Sequence, residues 1–403
     1  MNLKKMKNVV LILMSCFLFL STSVSYARGV NEYNDTVLSN EKNITNIIET
    51  FFNSYENAFD NEDANFNSID NYFSSDKISL KNKVLIKTIL NRRITLSQEY
   101  PDKKLKELNK QLKFDYESIN IDKKSAAVTV SVTKTFNYNI SLDTQSGERN
   151  KYIISLEKGN NWSITNIDGF IDNMIKEDFA GKGIDSEDIE SLNEYQKNLR
   201  QDVKNFYNNF KASSNTLYTS SNGLIDSGDI TILAVSYNRS GAAQYAIDHA
   251  YNYNSAYADF SGEQGGDCTN FISQCIHETP GGGIPEHVGA QYSDTCWFYT
   301  TSTNRSSSWT GANEFNRYIK SSVSKINASI STFESVDFGD IIQLKYSSGE
   351  AYHSLIVTGI VYSSYGRSDL LFCCHTSDRQ NYSLSSTFGS GYIKEYIHII
   401  GSK

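Results

Sequence analysis

The segment GGDCTNF, residues 265–271, sets one cysteine behind two glycines and an aspartate and ahead of an apolar run. Gly265 and Gly266 permit a sharp turn, and Asp267 is of the type preferred at a helix N-cap. Cys268 is therefore expected at the first helical position, with Phe271, Ile272, Cys275 and Ile276 on the buried face. Unpaired N–H groups and the positive end of the helix dipole favour a thiolate there and can hold the oxyanion of a carbonyl it attacks. That is a nucleophile's position. The competing assignment is a structural cysteine, since free cysteines are common in cores.

A thiol nucleophile needs a base within hydrogen-bond reach. Downstream, Ile341 to Lys345 reads as a strand after a Gly-Asp turn. YHSLIVTGIVY is a second strand, with His353, Leu355 and Val357 on one face, and DLLFCCHTSD a third, with Leu371, Cys373 and His375 on one face. A hairpin centred on Ser364 sets His353 directly opposite His375, on the same side of the sheet. The pair then supplies a base and the group that orients it. Asp378 and Asn381 are chemically acceptable orienters too, placed beyond the expected strand end.

Other reactive types carry weaker patterns. Cys268, Cys275, His277, His287 and Cys296 lack the paired spacing of a zinc site, and neither a metal nor a cofactor is expected. Gln264 is a candidate oxyanion donor at short spacing, and His249 reads as structural within its helix. Trp297 and Trp309 read as packing anchors. The loop TPGGGIPEHVG, residues 279–289, which follows His277 and includes His287, reads as surface.

These residues need a scaffold. YNRSGAAQYAIDHAYNYN predicts an amphipathic helix with Ala243, Ala246, Ile247, Ala250 and Tyr251 on one stripe. Ahead of it, residues 43–110 carry a helical period, with Ile47, Ile48, Phe51, Phe52, Tyr55 and Phe59 on one face. The period then changes to two: Val128, Val130 and Val132 alternate with Thr129, Ser131 and Thr133. Two more strands follow around Gly159. Residues 187–210 read as a charged helix and 212–227 as a polar connector, flexible because the chain has only 3 prolines. The expected organisation is a leader at 1–27, an α+β domain at 28–184, a helix and linker at 185–234, and a second α+β domain at 235–403.

The leader reading rests on Lys4, Lys5 and Lys7 before the apolar run Val9 to Leu20, with Ser25 and Ala27 suited to a cleavage site. Lipid attachment at Cys16 is the rival, opposed by the apolar run continuing past it. Cleavage removes three lysines from a chain whose formal charge is already −8. A surface that acidic is not drawn by charge to nucleic acid or to an anionic membrane, and no later stretch is long and apolar enough to span a bilayer. The expectation is an exported protein with no nucleic-acid partner and no membrane association after cleavage. Of 6 cysteines, Cys268, Cys275, Cys296, Cys373 and Cys374 remain, an odd number that leaves at least one thiol free or paired between chains.

YNR at 237–239, GGDCTNFISQC, FGDIIQL, HSLIVTG and HTSDRQNYSL together resemble the putative amidase domain of secreted bacterial proteins, over about residues 235–400. That family is similar in turn to the papain-like NlpC/P60 cysteine peptidases. The resemblance implies a papain-like α+β fold, with Cys268 as nucleophile, His353 as base and His375 as third polar residue. It also implies an amide substrate, with cell-wall (peptidoglycan) peptides among the candidates. The 22-residue gap between the histidines is longer than in many NlpC/P60 domains and is met by the hairpin loop. The order of elements at residues 43–175 resembles the cone-shaped nuclear transport factor 2 fold, whose concave face holds a ligand in some members; no residue motif supports it, and a spacer or docking role is expected. Two rivals accompany hydrolysis: acyl transfer by the same thiol to an amine, and a non-catalytic binding protein on the same frame.

Overall fold

The computed structural model describes residues 38–100, 103–215, 235–262, 266–364, 366–387 and 393–403. The leader, most of the expected connector, and Gln264 and Gly265 lie outside these residues. Among the described residues no helix is long and apolar enough to cross a membrane.

The chain folds as an α+β protein. Helices α1 (residues 38–60) and α2 (Lys77–Gln98) precede strands β1 (Glu107–Ile121), β2 (Ser125–Tyr138), β3 (Ser141–Lys158) and β4 (Trp162–Asp168). Helices α3 (Asn173–Gly181) and α4 (Ile189–Asn215) lead to the second half. There α5 (Arg239–His249) and α6 (Cys268–His277) are followed by a small hairpin of β5 (Tyr299–Thr301) and β6 (Asn304–Arg305), then α7 (Ser307–Thr310) and α8 (Ala312–Lys320). The remaining elements are β7 (Ile326–Ser331), β8 (Ile341–Lys345), β9 (Ala351–Ser363), β10 (Gly366–Cys374), β11 (Asp378–Ser383), α9 (Leu384–Thr387) and β12 (Ile393–Ser402).

The apolar spacing of α1 does what its period requires. Ile48, Phe51, Phe52, Tyr55 and Phe59 are buried against Val128, Val130 and Val132 of β2, whose intervening residues face away. The helical pattern expected up to residue 110 ends sooner, however. Glu107–Ile121 is an antiparallel strand paired with β2, its apolar Leu112, Phe114 and Tyr116 alternating on the core side.

The two halves share one sheet, ordered β1-β2-β3-β11-β10-β9-β8-β12-β7, with β4 also on β3. One edge of β3 pairs with β2 along its length. The other edge is divided: β4 covers Ile153 to Lys158 and β11 covers Gly147 to Arg149. Unpaired strand edges carry orphan donors and acceptors, and β11 fills this one. A Cβ on Gly147 would stand 2.4 Å from the Lys134 carbonyl oxygen and 2.7 Å from the Tyr251 hydroxyl, so only glycine fits the crossing.

The second-half sheet is covered on both sides. Ile341, Ile356 and Cys373 pack with α5, α6 and α8. Leu344, Leu355, Val357, Leu370 and Phe372 instead join a core with Leu85 and Ile89 of α2, Met174 of α3 and Leu192 and Leu199 of α4. This explains why β8 to β10 read as nearly continuous apolar runs. Helix α4 extends to Asn215, into the start of the expected connector.

Candidate active site

Helix α6 begins at Cys268, as the sequence predicts, behind Gly266 at φ 116°. Phe271, Ile272, Cys275 and Ile276 are fully buried beneath it, and Trp297 and Trp309 pack against the same core. Asp267 forms no side-chain cap with the helix. Its Oδ1 instead accepts from Phe260 N at 3.0 Å and Asn270 Nδ2 at 2.8 Å, while Oδ2 lies 2.7 Å from His375 Nδ1. The carboxylate thus bolts the helix start to the loop before it and to the end of β10.

Cys268 is buried, its Sγ 3.7 Å from Thr269 Oγ1. Helix α6 packs on β9 here: Thr269 Oγ1 and Ser354 Oγ are 3.0 Å apart, and Gln343 Nε2 donates to Ser354 Oγ at 3.1 Å. Contrary to the expected low thiol pKa, burial pushes the Cys268 thiol up, and the Asp267 carboxylate adds to this. The Thr269 hydroxyl and the Ser354 and Thr269 amides act in the opposite direction. Those two amides are the donors that an anion on sulfur, or on a carbonyl oxygen beside it, would meet.

His353 precedes Ser354 on β9 and pairs with Leu344, so it shares the face of Leu355 and Val357 and not the face on which Ser354 meets α6. It is 6% exposed, and its Nε2 is buried with no hydrogen-bond partner among the described residues. Burial, with Arg379 adding to it, lowers its pKa to about 4, so the ring is neutral at neutral pH. No hydrogen bond joins it to Cys268. An orphaned buried imidazole nitrogen is rare in a native interior and concentrates at reactive sites, and catalytic hydrogen bonds are often unmade without substrate.

His375 is not where the hairpin reading put it. The β9–β10 hairpin pairs Ser363 with Gly366 and, past two irregularities, Ile356 with Cys373, one residue out of the expected register. Strand β10 ends at Cys374, and His375 stands in the following turn. A one-residue slip reverses the faces, so Cys373 packs with α6 and Cys374 with the opposite core. His375 does not touch His353. It lies between Tyr253 and Phe271, its ring stacked on theirs at 3.7 and 3.8 Å, with Nε2 2.9 Å from the His249 carbonyl oxygen. Its ring nitrogens serve Asp267 and α5, which makes it a positioning group for the start of α6.

Asp378 and Asn381, expected beyond a strand end, lie on β11. Asp378 accepts from Tyr253 OH at 2.8 Å and from Arg149 Nη2 of β3 at 2.7 Å. Asn381 Nδ2 donates to the Gln145 carbonyl. Neither contacts His353; both join the halves. Thr376, at φ 79°, accepts from Asp267 N at 2.7 Å, a left-handed β-branched residue held over the helix start.

Two motif segments prove to be scaffold. Tyr237 OH donates to the Gly339 carbonyl at 2.6 Å, and Arg239 pairs with fully buried Asp340, which also takes Asp337 N, Ile399 N and His398 Nδ1. YNR and FGD thereby fasten α5 to β8 and β12. All five described cysteines are free thiols. His277 and His287 bond to the Ile284 carbonyl and the Tyr318 hydroxyl, and no group of three metal-ligating side chains occurs among the described residues. In the first half, a cavity of about 90 Å³ lined by Glu56, Arg93, Lys134 and Glu148 is closed by Arg379 and Tyr382 of β11.

Residues 236–400 match the family model described as "Putative amidase domain". The chain is also similar to an uncharacterized protein, YhbB, of Bacillus subtilis (strain 168), with 34% identity over 126 residues, 31% of this chain and 38% of the relative. The match thus spans well under half of that relative's length. No solved structure matches the chain.

Proposed function

We propose that residues 235–403 are a cysteine-dependent amide hydrolase acting on peptide amides outside the cell, with Cys268 as nucleophile and His353 as base. The amidase-domain match supports amide hydrolysis at the coarse level. The observation that carries the assignment of residues is the buried His353 Nε2, unpartnered among the described residues.

Both groups rest neutral, so proton transfer accompanies attack. Cys268 Sγ bonds to the substrate carbonyl carbon as its proton passes to His353, and the carbonyl oxygen becomes an oxyanion held by the Thr269 and Ser354 amides. His353 returns the proton to the amide nitrogen, the C–N bond breaks, and an amine leaves a thioester. Water then attacks with His353 accepting its proton, the C–S bond breaks, and the thiol recovers a proton. Asp267 and His375 hold the helix start through these steps. Export rests on the composition of residues 1–27.

Digestion of purified cell-wall fragments by the wild type and Cys268→Ala, read by mass spectrometry, tests the reading. New amine and carboxylate ends only with the wild type are expected. Identical digests by both proteins refute it, and acyl groups appearing on an added amine would identify transfer instead.

A further inference from the structure

Between the halves runs an open groove of about 590 Å³. One wall comes from the first half, with Arg149 and Lys151 of β3 and Lys176 of α3; the other carries Tyr253, Asp259 and the turn at Thr376. The groove reaches the candidate site through unbroken contacts. Arg149 binds Asp378, Asp378 accepts from Tyr253 OH, Tyr253 stacks on His375, and His375 holds Asp267, the residue before Cys268. Thr376 is both a groove residue and the acceptor for Asp267 N.

Most charges in this groove are already matched. Lys151 pairs with Glu117, Arg149 with Asp378, and Asp172 with Arg379. Lys176 and Asp259 remain: both are exposed, they stand on opposite walls, and neither has an ion pair among the described residues. Among the described residues the Asp259 carboxylate is engaged only by the Ser261 amide, at 2.8 Å. A groove with an exposed ammonium on one wall and an exposed carboxylate on the other complements a ligand carrying the reverse pair. Backbone-like amides of such a ligand would meet the hydroxyls of Ser261, Thr376 and Ser377.

We propose that this groove binds a dipolar peptide, its carboxylate at Lys176 and its ammonium at Asp259, and that the first half thereby forms one wall of the substrate cleft. The proposal builds on the reading of Cys268 as nucleophile, but its test does not require turnover. Full-length Cys268→Ala is titrated against fluorescein-labelled, C-terminally amidated peptides containing one glutamate and one lysine, separated by zero to three alanines, and anisotropy is read. At least one spacing should bind about tenfold tighter than its glutamine or acetyl-lysine counterpart, the value of one charge-assisted contact. Lys176→Glu and Asp259→Lys should each remove that preference without moving the thermal melt, because both side chains are exposed. The double reversal should restore it for the peptide with exchanged charges. Absence of binding at every spacing, equal binding of the neutralised peptides, or indifference to both reversals overturns the proposal. If the groove binds as expected while wall digests show no Cys268-dependent product, the hydrolase reading falls and the groove stands.

Discussion

His353 and Cys268 make opposite electrostatic statements from their usual values, and both are measurable. The His353 pKa of about 4 lies below its unfolded value of about 6.5, so on acidification the unfolded chain takes up the proton first. Stability from this group is intact above about pH 6.5 and is withdrawn as pH falls toward 4, by about 3 kcal/mol in all. Urea unfolding at pH 7 and pH 4 should show that extra loss in the wild type and not in His353→Gln; equal losses would remove the buried neutral histidine from the account. Because burial raises the Cys268 thiol, its iodoacetamide labelling should keep accelerating with pH beyond the ordinary thiol range. Asp267 splits two effects. Asp267→Asn removes a charge that raises the thiol, so labelling at pH 7 should quicken, while loss of the His375 anchor should slow the proposed hydrolysis. Mass-spectrometric labelling rates beside initial hydrolysis rates check this, and a parallel fall of both would count against an anchoring role.

At the scale of elements, the junction of β3 with β11 is the sensitive one. Gly147→Val drives a side chain into the Lys134 backbone carbonyl and the Tyr251 hydroxyl, and should cost about 2–4 kcal/mol in denaturant unfolding. Gly159→Ala, whose nearest neighbour would be 3.9 Å away, should stay near wild type. If the two behave alike, β3 is not tightly held between its neighbours. The elements also show what local pattern conveys. Helix α1, strand β2 and the start of α6 follow from the 3.6- and 2-residue periods and a glycine turn. Strand β1 was hidden because its outward face carries Lys113, Asp115 and Glu117 and its Leu112, Phe114, Tyr116 alternation is short.

Because sheet and core cross the boundary between its halves, the molecule as a whole should unfold as one cooperative body. Residues 235–403 expressed alone would expose Leu344, Leu355, Val357, Leu370 and Phe372, a contiguous apolar face. That fragment should bind hydrophobic dye and aggregate, whereas the full chain should unfold in a single calorimetric transition. A monomeric fragment melting at the full-length temperature would show the shared core to be dispensable. The first half is accordingly a cover for the second-half sheet and a wall of the groove, beyond a spacer.

What the sequence alone determined is local: Cys268 at the first turn of a helix after a left-handed glycine, strands at residues 341–345 and 352–362, an apolar face beneath Cys268, and the family resemblance of the second half. The partners of those residues are decided by tertiary structure. Hairpin register depends on irregularities that carry no period of their own, and a single slipped residue moved His375 from the expected partner of His353 into a turn. The Asp267–His375 bond spans 108 positions and the Arg149–Asp378 pair 229, distances over which spacing says nothing. The direction of the Cys268 pKa likewise hangs on burial of the thiol and on the Asp267 charge, which tertiary packing decides.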